Sequence, residues 1–242
     1  MGTVNQPDGF GSTADSNSRY PDRLAERLAA WGRPRPVLNS GIGSNLLLSD
    51  SAWFGDSALA RFQRDVLGKP GVDTVIVLAG LNDIGFSEVD LPTYRPNTDV
   101  SVGELAAGYR RLVERARSGG VRVLGATLLP FAGPEYHTPR SAAERTELNQ
   151  WIRDSGTFDA VVDFGSALAA PGNPERLNPL WDSGDHKHPH DAGYRIMADR
   201  AALALERFPR TAASPAGPSP QWTDTRSGSR TAGSRKTSGT RT

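Results

Sequence analysis

Apolar positions along the chain fall into two alternating rhythms. Between Arg19 and Trp31, residues Leu24, Leu28 and Trp31 recur at helical spacing behind Pro21, which suits a first helical turn. Ser57 to Leu67 repeats the pattern with Leu59, Phe62 and Val66, and Asp56 is its expected N-cap. Ser101 and Glu104 make a capping box for a helix whose apolar face is Leu105, Tyr109 and Leu112, stopped by Gly119-Gly120. Ser141 and Glu144 are read as caps of a helix carrying Leu148, Trp151 and Ile152, and a last helix is expected over about 191–207. Between the helices lie short strand-like runs at 36–39, 74–79, 121–129 and 160–164. Thr74-Val75-Ile76-Val77-Leu78-Ala79 is apolar on both faces and β-branched, as a buried parallel strand should be. Strands alternate with helices and no hairpin signal is seen, which predicts an α/β fold with a parallel sheet and helices on both faces.

Composition changes this picture at the ends. A chain of 242 residues suits one domain of about 200 residues plus extras. Residues 1–208 are assigned to the domain. Residues 209–242 are Ser, Thr, Gly, Pro and Arg with almost nothing apolar, and are expected to be a disordered tail. The net charge of +1 hides a tail of +5 on a body of −4. A mildly acidic body does not suit a nucleic-acid binder, and weak binding to an anionic surface is the tail's alternative role. The absence of cysteine excludes a disulfide framework and a cysteine nucleophile. No apolar run is long enough to span a membrane, and Met1 to Pro7 lacks the basic and apolar regions of a signal peptide, so localisation is left open. A monomer is expected.

The candidate chemistry is concentrated in Trp181 to Tyr194, which holds three of the four histidines among Asp182, Asp185, Gly184, Pro189 and Gly193. Proline and glycine argue for a loop ahead of the last helix. The spacing Asp185-x-x-His188 sets a carboxylate beside an imidazole, the pairing that an oriented base needs. Ligand sites in parallel sheets lie at the carboxyl ends of the strands, where Gly41, Asn82 and the loop beginning at Pro130 also fall. The Gly41 backbone N–H and the Asn82 amide could donate to a developing oxyanion, worth about 3 kcal/mol per donor in known cases.

Asn39-Ser40-Gly41-Ile42, Gly80-Leu81-Asn82-Asp83 and Asp185-His186-Lys187-His188-Pro189, in this order and spacing, resemble the second, third and fifth blocks of the SGNH, or GDSL-type, ester hydrolases. The likeness extends over about residues 8–207. It implies a flavodoxin-like three-layer α/β/α sandwich and ester hydrolysis through an acyl-enzyme, on a small-molecule ester and without a cofactor or metal. Carried over, it makes His188 the base, Asp185 its orienter, and Gly41 and Asn82 the oxyanion donors. The first block departs from the pattern. Asp8-Gly9-Phe10-Gly11 resembles its end, which puts Asn5 where the nucleophilic serine belongs, and the central strand that should feed the block is missing. Two readings stay open: a strand and serine upstream of the given start, or a degenerate first block in an inactive domain that binds an acyl or glycan ligand. The retained Asp–His and oxyanion blocks favour the first.

Each of these residues also has a plainer reading. Asp185 and His188 could cap the last helix, Asn82 could close its loop, and Asp83 is read as a loop-fixing group. Gly55-Asp56-Ser57 imitates the missing block, but Asp56 there is read as a helix cap. Ser12 and Ser40 are the substitute nucleophiles to consider. His186, His188 and His190 could face one way in an extended run and hold zinc, although Lys187 and Pro189 interrupt it. His137 is read as a solvated loop residue, with a place in the substrate cleft as its alternative.

Overall fold

The computed structural model describes residues 11–95 and 99–208. Asn5 and the 209–242 tail, and the readings placed on them, lie outside these. Among the described residues, three parallel strands form the centre in the order β1 (Thr74–Val77), β2 (Arg122–Ala126), β3 (Ala160–Val162). The register runs from Thr74 beside Arg122 to Val77 beside Gly125, and from Leu124 beside Ala160 to Ala126 beside Val162. Helices cover both faces. α1 (Tyr20–Ala30) packs with α7 (Asp191–Glu206) and α7 with the short α6 (Phe164–Leu168); α4 (Val102–Ser118) packs with α2 (Ala58–Phe62) and α5 (Pro139–Asp154). The expected α/β/α sandwich is therefore present. One continuous core runs through both layers, with Phe62, Leu105, Leu112, Leu124, Phe164 and Met197 fully enclosed.

The helix boundaries show which side chains hold the ends. Ser101 and Glu104 make the expected capping box on α4. Two cap assignments move. Ser57, not Asp56, caps α2 by accepting the Ala60 N–H, while Asp56 pairs with Arg64 at 2.9 Å. Thr138 and Ser141 box the start of α5, and Glu144 pairs with Arg140 at 3.0 Å instead. In both cases the cap lies where the backbone turns from extended to helical, and periodicity alone places that only to within a residue or two. α2 continues into one π-helical turn, Gln63–Leu67.

Three further expectations are corrected. Residues 36–39 join no ladder among the described residues. Asn82, expected in the loop that follows the 74–79 strand, lies instead in a short helix, α3 (Leu81–Phe86), entered from Gly80 at φ +99°. A hairpin is present after all. β4 (Ala169–Ala170) and β5 (Asn173–Leu177) pair antiparallel around Pro171-Gly172, with Gly172 at φ +74°. The Pro-Gly pair was its signal; the strands are too short and polar to show an alternation.

A buried carboxylate joins the outer loop to this frame. Asp83, in the first turn of α3 and 3% exposed, accepts the N–H of Leu47 at 2.8 Å and of Leu48 at 3.1 Å. Burial pushes it up to about 6, against the pull of those donors. Asp83→Ala leaves one buried and one part-buried N–H group without an acceptor and is expected to cost roughly 1–3 kcal/mol in urea unfolding. Because folding raises this group, the folded state binds its proton more tightly between the usual carboxylate value, about 3.9, and about 6. Its contribution to stability therefore falls as pH rises through that window, and Asp83→Ala is expected to remove that part of the slope.

Candidate active site

The histidine loop is closed by its own backbone. Asp182 and Pro189 form an antiparallel bridge, Ser183 N–H donates to the His188 carbonyl at 3.0 Å, and His190 N–H donates to the Trp181 carbonyl at 2.9 Å. Inside this closure Asp185 is held by three donors. Its Oδ1 accepts the N–H of His188 at 2.8 Å, the N–H of Lys187 at 3.0 Å and the Ser183 hydroxyl at 3.1 Å, while its Oδ2 meets His188 Nδ1 in a short contact. Burial alone would raise the Asp185 carboxyl. The His188 hydrogen bond and charge and the backbone N–H groups outweigh it and hold the group well below the usual carboxylate range. The sequence pairing of Asp185 with His188 is thus a real contact that fixes Nδ1.

The same geometry occurs a second time in the loop. Asp182 accepts the N–H of Gly184 at 2.9 Å and of His186 at 3.0 Å, and its Oδ2 lies 2.6 Å from His186 Nδ1. Burial raises Asp182, but the His186 bond and the N–H donors bring it below its ordinary value. His186 has φ +64°, a left-handed conformation uncommon for residues with a Cβ, which histidine enters more readily than most. Gly133 packs on it so closely that an added Cβ would lie 2.6 Å from the His186 Cβ. His190 caps α7 through Nδ1, which accepts the Ala192 N–H at 3.1 Å. The three imidazoles therefore serve different partners, and no group of three acids or histidines arranged for a metal exists among the described residues. The helix-capping role considered for Asp185 and His188 belongs to His190.

Gly41 lies in a loop and Asn82 in the first turn of α3, and Asn45 joins the two segments. The Asn82 amide donates to the Asn45 carbonyl at 3.1 Å, which occupies one of its two N–H bonds. The Gly41 N–H donates to Asn39 Oδ1 at 2.9 Å. The loop is fastened by Arg61, 2% exposed, which donates to the Ser40 carbonyl at 2.6 Å and to Asn45 Oδ1 at 2.9 and 3.1 Å. Arg61 and Asn45 are the supports that the sequence reading missed, while Asp83 fixes a loop as expected, through the N–H groups of Leu47 and Leu48. Arg61 lies on a helix that also buries Ala58, Leu59 and Phe62, and nothing in the spacing marks a charged residue there as inward. The Ser40 hydroxyl donates to the Asp65 carbonyl at 2.9 Å, a bond that turns it into the loop's frame.

Tyr136 links the α3 side to the histidine loop. A Cβ on Gly85 of α3 would come within 3.0 Å of its ring, and the Lys187 ammonium lies over the same ring at 5.2 Å from its centre. His137 turns the other way, edge-on to Phe131 and 3.6 Å from Glu175. Ser12 follows Gly11, which presses against the Pro189 carbonyl, and Asp191 fastens this segment by accepting the Thr13 N–H at 2.9 Å and hydroxyl at 2.7 Å and the Ser18 hydroxyl at 2.7 Å.

The lowered Asp185 carboxyl has a pH consequence. Folding depresses this group, so its stabilisation is complete above the unfolded value of about 3.9 and is lost as pH falls below it. Asp185→Asn is expected to melt at a lower temperature near neutral pH and to show a flatter fall in melting temperature on acidification.

None of the curated proteins compared matches the chain. Solved structures do. An acetylxylan esterase, Axe2, from Geobacillus stearothermophilus shares 22% identity at a TM-score of 0.58, over 77% of this chain and 80% of that one. The acetyl xylan esterase AlAXEase shares 18% at 0.58, over 79% and 92%. A GDSL-like lipase from Bacteroides thetaiotaomicron shares 23% at 0.53, over 78% and 82%. At these identities they show a common fold. The description of the GDSL-like lipase/acylhydrolase family itself matches residues 7–196, and the chain belongs to that family.

Proposed function

We propose that the chain is a carboxylic-ester hydrolase working through an acyl-enzyme. The observation that carries the reading is the Asp185–His188 pair, in which a carboxylate held by backbone donors fixes Nδ1 of one imidazole. A serine hydroxyl attacks the ester carbonyl and His188 takes its proton. Asp185 keeps the ring's tautomer and steadies the imidazolium. Asn82 has a second amide N–H for the oxyanion; Gly41 supplies its N–H by exchanging Asn39 for the substrate oxygen. His188 then returns the proton to the leaving alcohol, and water resolves the acyl group by the same route. No cofactor or metal enters these steps. The acetylxylan esterases among the structural neighbours make acetylated xylo-oligosaccharides a natural first substrate panel, beside simple esters of increasing acyl length.

The nucleophile is the open position. Asparagine at position 5 cannot attack, and Ser12 is the nearest substitute within the sequence. That asparagine favours a second reading, an inactive relative that binds an acyl or glycan ligand in the same cleft.

Labelling of the purified chain with a fluorophosphonate, followed by peptide mapping, decides between them. On the proposal one serine is labelled and His188→Ala abolishes the labelling; a folded chain that takes no label overturns hydrolysis for this sequence. With ester substrate, Asn82→Ala is expected to lower kcat by roughly 10²–10³-fold with KM little changed, as loss of an oxyanion donor does. A chelator is expected to leave the rate unchanged.

A further inference from the structure

The second acid–imidazole pair of the histidine loop has no part in the steps above. The Asp182 side chain is only 9% exposed, and its Oδ1 closes the loop by accepting the N–H of Gly184 and of His186. An asparagine would do as much. What the carboxylate adds is the 2.6 Å contact of Oδ2 with His186 Nδ1, which ties no backbone and sets the state of the ring. An ionised carboxylate can only accept, so Nδ1 carries the proton, and Nε2 of the neutral ring is left with a lone pair.

That lone pair is presented to the outside. The His186 side chain is 42% exposed, and its Nε2 has no hydrogen-bond partner among the described residues. The ring stands where two loops meet. Gly133 packs against its Cβ, Cγ and Cδ2, and the next residue, Lys187, lies over the Tyr136 ring of that same 130–137 loop. Tyr136 in turn packs on Gly85, in the turn of α3 that follows Asn82. His186 is thus on the rim shared by the histidine loop and the 130–137 loop, with His188 two residues along the chain. The other acceptors of the loop are taken, because Asp182 and Asp185 engage both of their oxygens within it.

We propose that His186 is a substrate-binding residue whose Nε2 accepts a hydrogen bond from a free hydroxyl on the alcohol part of the ester. The proposal rests on the hydrolytic reading above, in which His188 returns the proton to the leaving oxygen. The alcohol part then lies along the histidine loop, while the carbonyl oxygen lies toward Asn82 and Gly41. The substrate class is a partial ester of a diol or polyol, with a hydroxyl left beside the ester oxygen. The methyl ether of such a compound has no proton to give, and sets a lone pair against a lone pair. On an open rim one such bond is worth about tenfold in selectivity, far less than in an enclosed site.

Two variants test this while sparing the backbone. His186→Asn keeps a residue that tolerates the left-handed conformation but is too short to place an acceptor where Nε2 stands. Asp182→Asn keeps an oxygen for the two backbone N–H groups and offers the ring an N–H, which moves the ring proton from Nδ1 to Nε2 and turns the acceptor into a donor. In the wild type, kcat/KM for ethylene glycol monoacetate is expected to exceed that for its methyl ether about tenfold, beyond their ratio in alkaline hydrolysis. Each variant is expected to bring that preference to about one. A wild-type preference near one, or a preference that survives in either variant, overturns the proposal. Nitrogen NMR of the labelled chain in alkaline buffer gives a reading that needs no turnover. N-acetylethanolamine, an amide in place of the ester, is expected to shift the His186 Nε2 resonance at a concentration at which its methyl ether leaves it in place. The same resonance is expected to be that of an unprotonated ring nitrogen in the wild type and of a protonated one in Asp182→Asn. Equal shifts from the two compounds, no shift from either, or a protonated Nε2 in the wild type overturns the proposal even where esters are hydrolysed. A hydroxyl-specific shift in a chain that takes no fluorophosphonate label sustains the hydroxyl site and removes only the hydrolytic reading.

Discussion

Parallel pairing is the constraint on which the rest of this molecule depends. Strands that run the same way cannot be joined by tight turns, so each must be followed by a crossover that packs on the sheet. β1, β2 and β3 are short, yet they bring the loops after Val77, Ala126 and Val162 to one end of the sheet. The histidine loop reaches the same end because α7 returns against α1 and carries Asp191, whose carboxylate fastens the Gly11–Ser18 segment. The site is therefore assembled by sheet direction first and by side-chain chemistry second.

The chemistry then depends on small closed circuits of hydrogen bonds. Asp185 and Asp182 each collect backbone N–H groups and spend the remaining oxygen on an imidazole. Asp83 does the same for Leu47 and Leu48 in a far less exposed setting. The contrast in their acidity follows from this. Asp185 sits beside an imidazole that can carry positive charge and stays acidic; Asp83 has only dipoles around it and burial dominates. The first environment suits a group that must remain ionised beside a base, and the second suits a fastener.

Two Asp–His pairs in one loop separate what a motif can and cannot say. The spacing of Asp185 and His188 was visible because three residues bring the acid onto its own loop's N–H groups and onto the ring. The Asp182–His186 pair was not picked out, since it needs His186 in a left-handed conformation that Gly133 helps to enforce from another loop. His190, read only as part of a run of histidines, serves as the cap of α7.

The sequence by itself determined the alternation of strands and helices, the parallel sheet, the capping box at Ser101, the last helix, and the acid–imidazole pairing of Asp185 with His188. These rest on periodicity and on contacts within three or four residues, which local order records. Tertiary structure alone decided that residues 36–39 have no ladder among the described residues, that Ser57 and Thr138 are the caps, that 169–177 turn back as a hairpin, and that the Gly41 N–H is engaged by Asn39. It also decided that Arg61 points inward to hold the Ser40–Asn45 loop, and which N–H groups, those of Leu47 and Leu48, Asp83 fastens. Each of these depends on a partner far along the chain or on a residue-by-residue backbone angle, and a hydrophobic pattern carries neither.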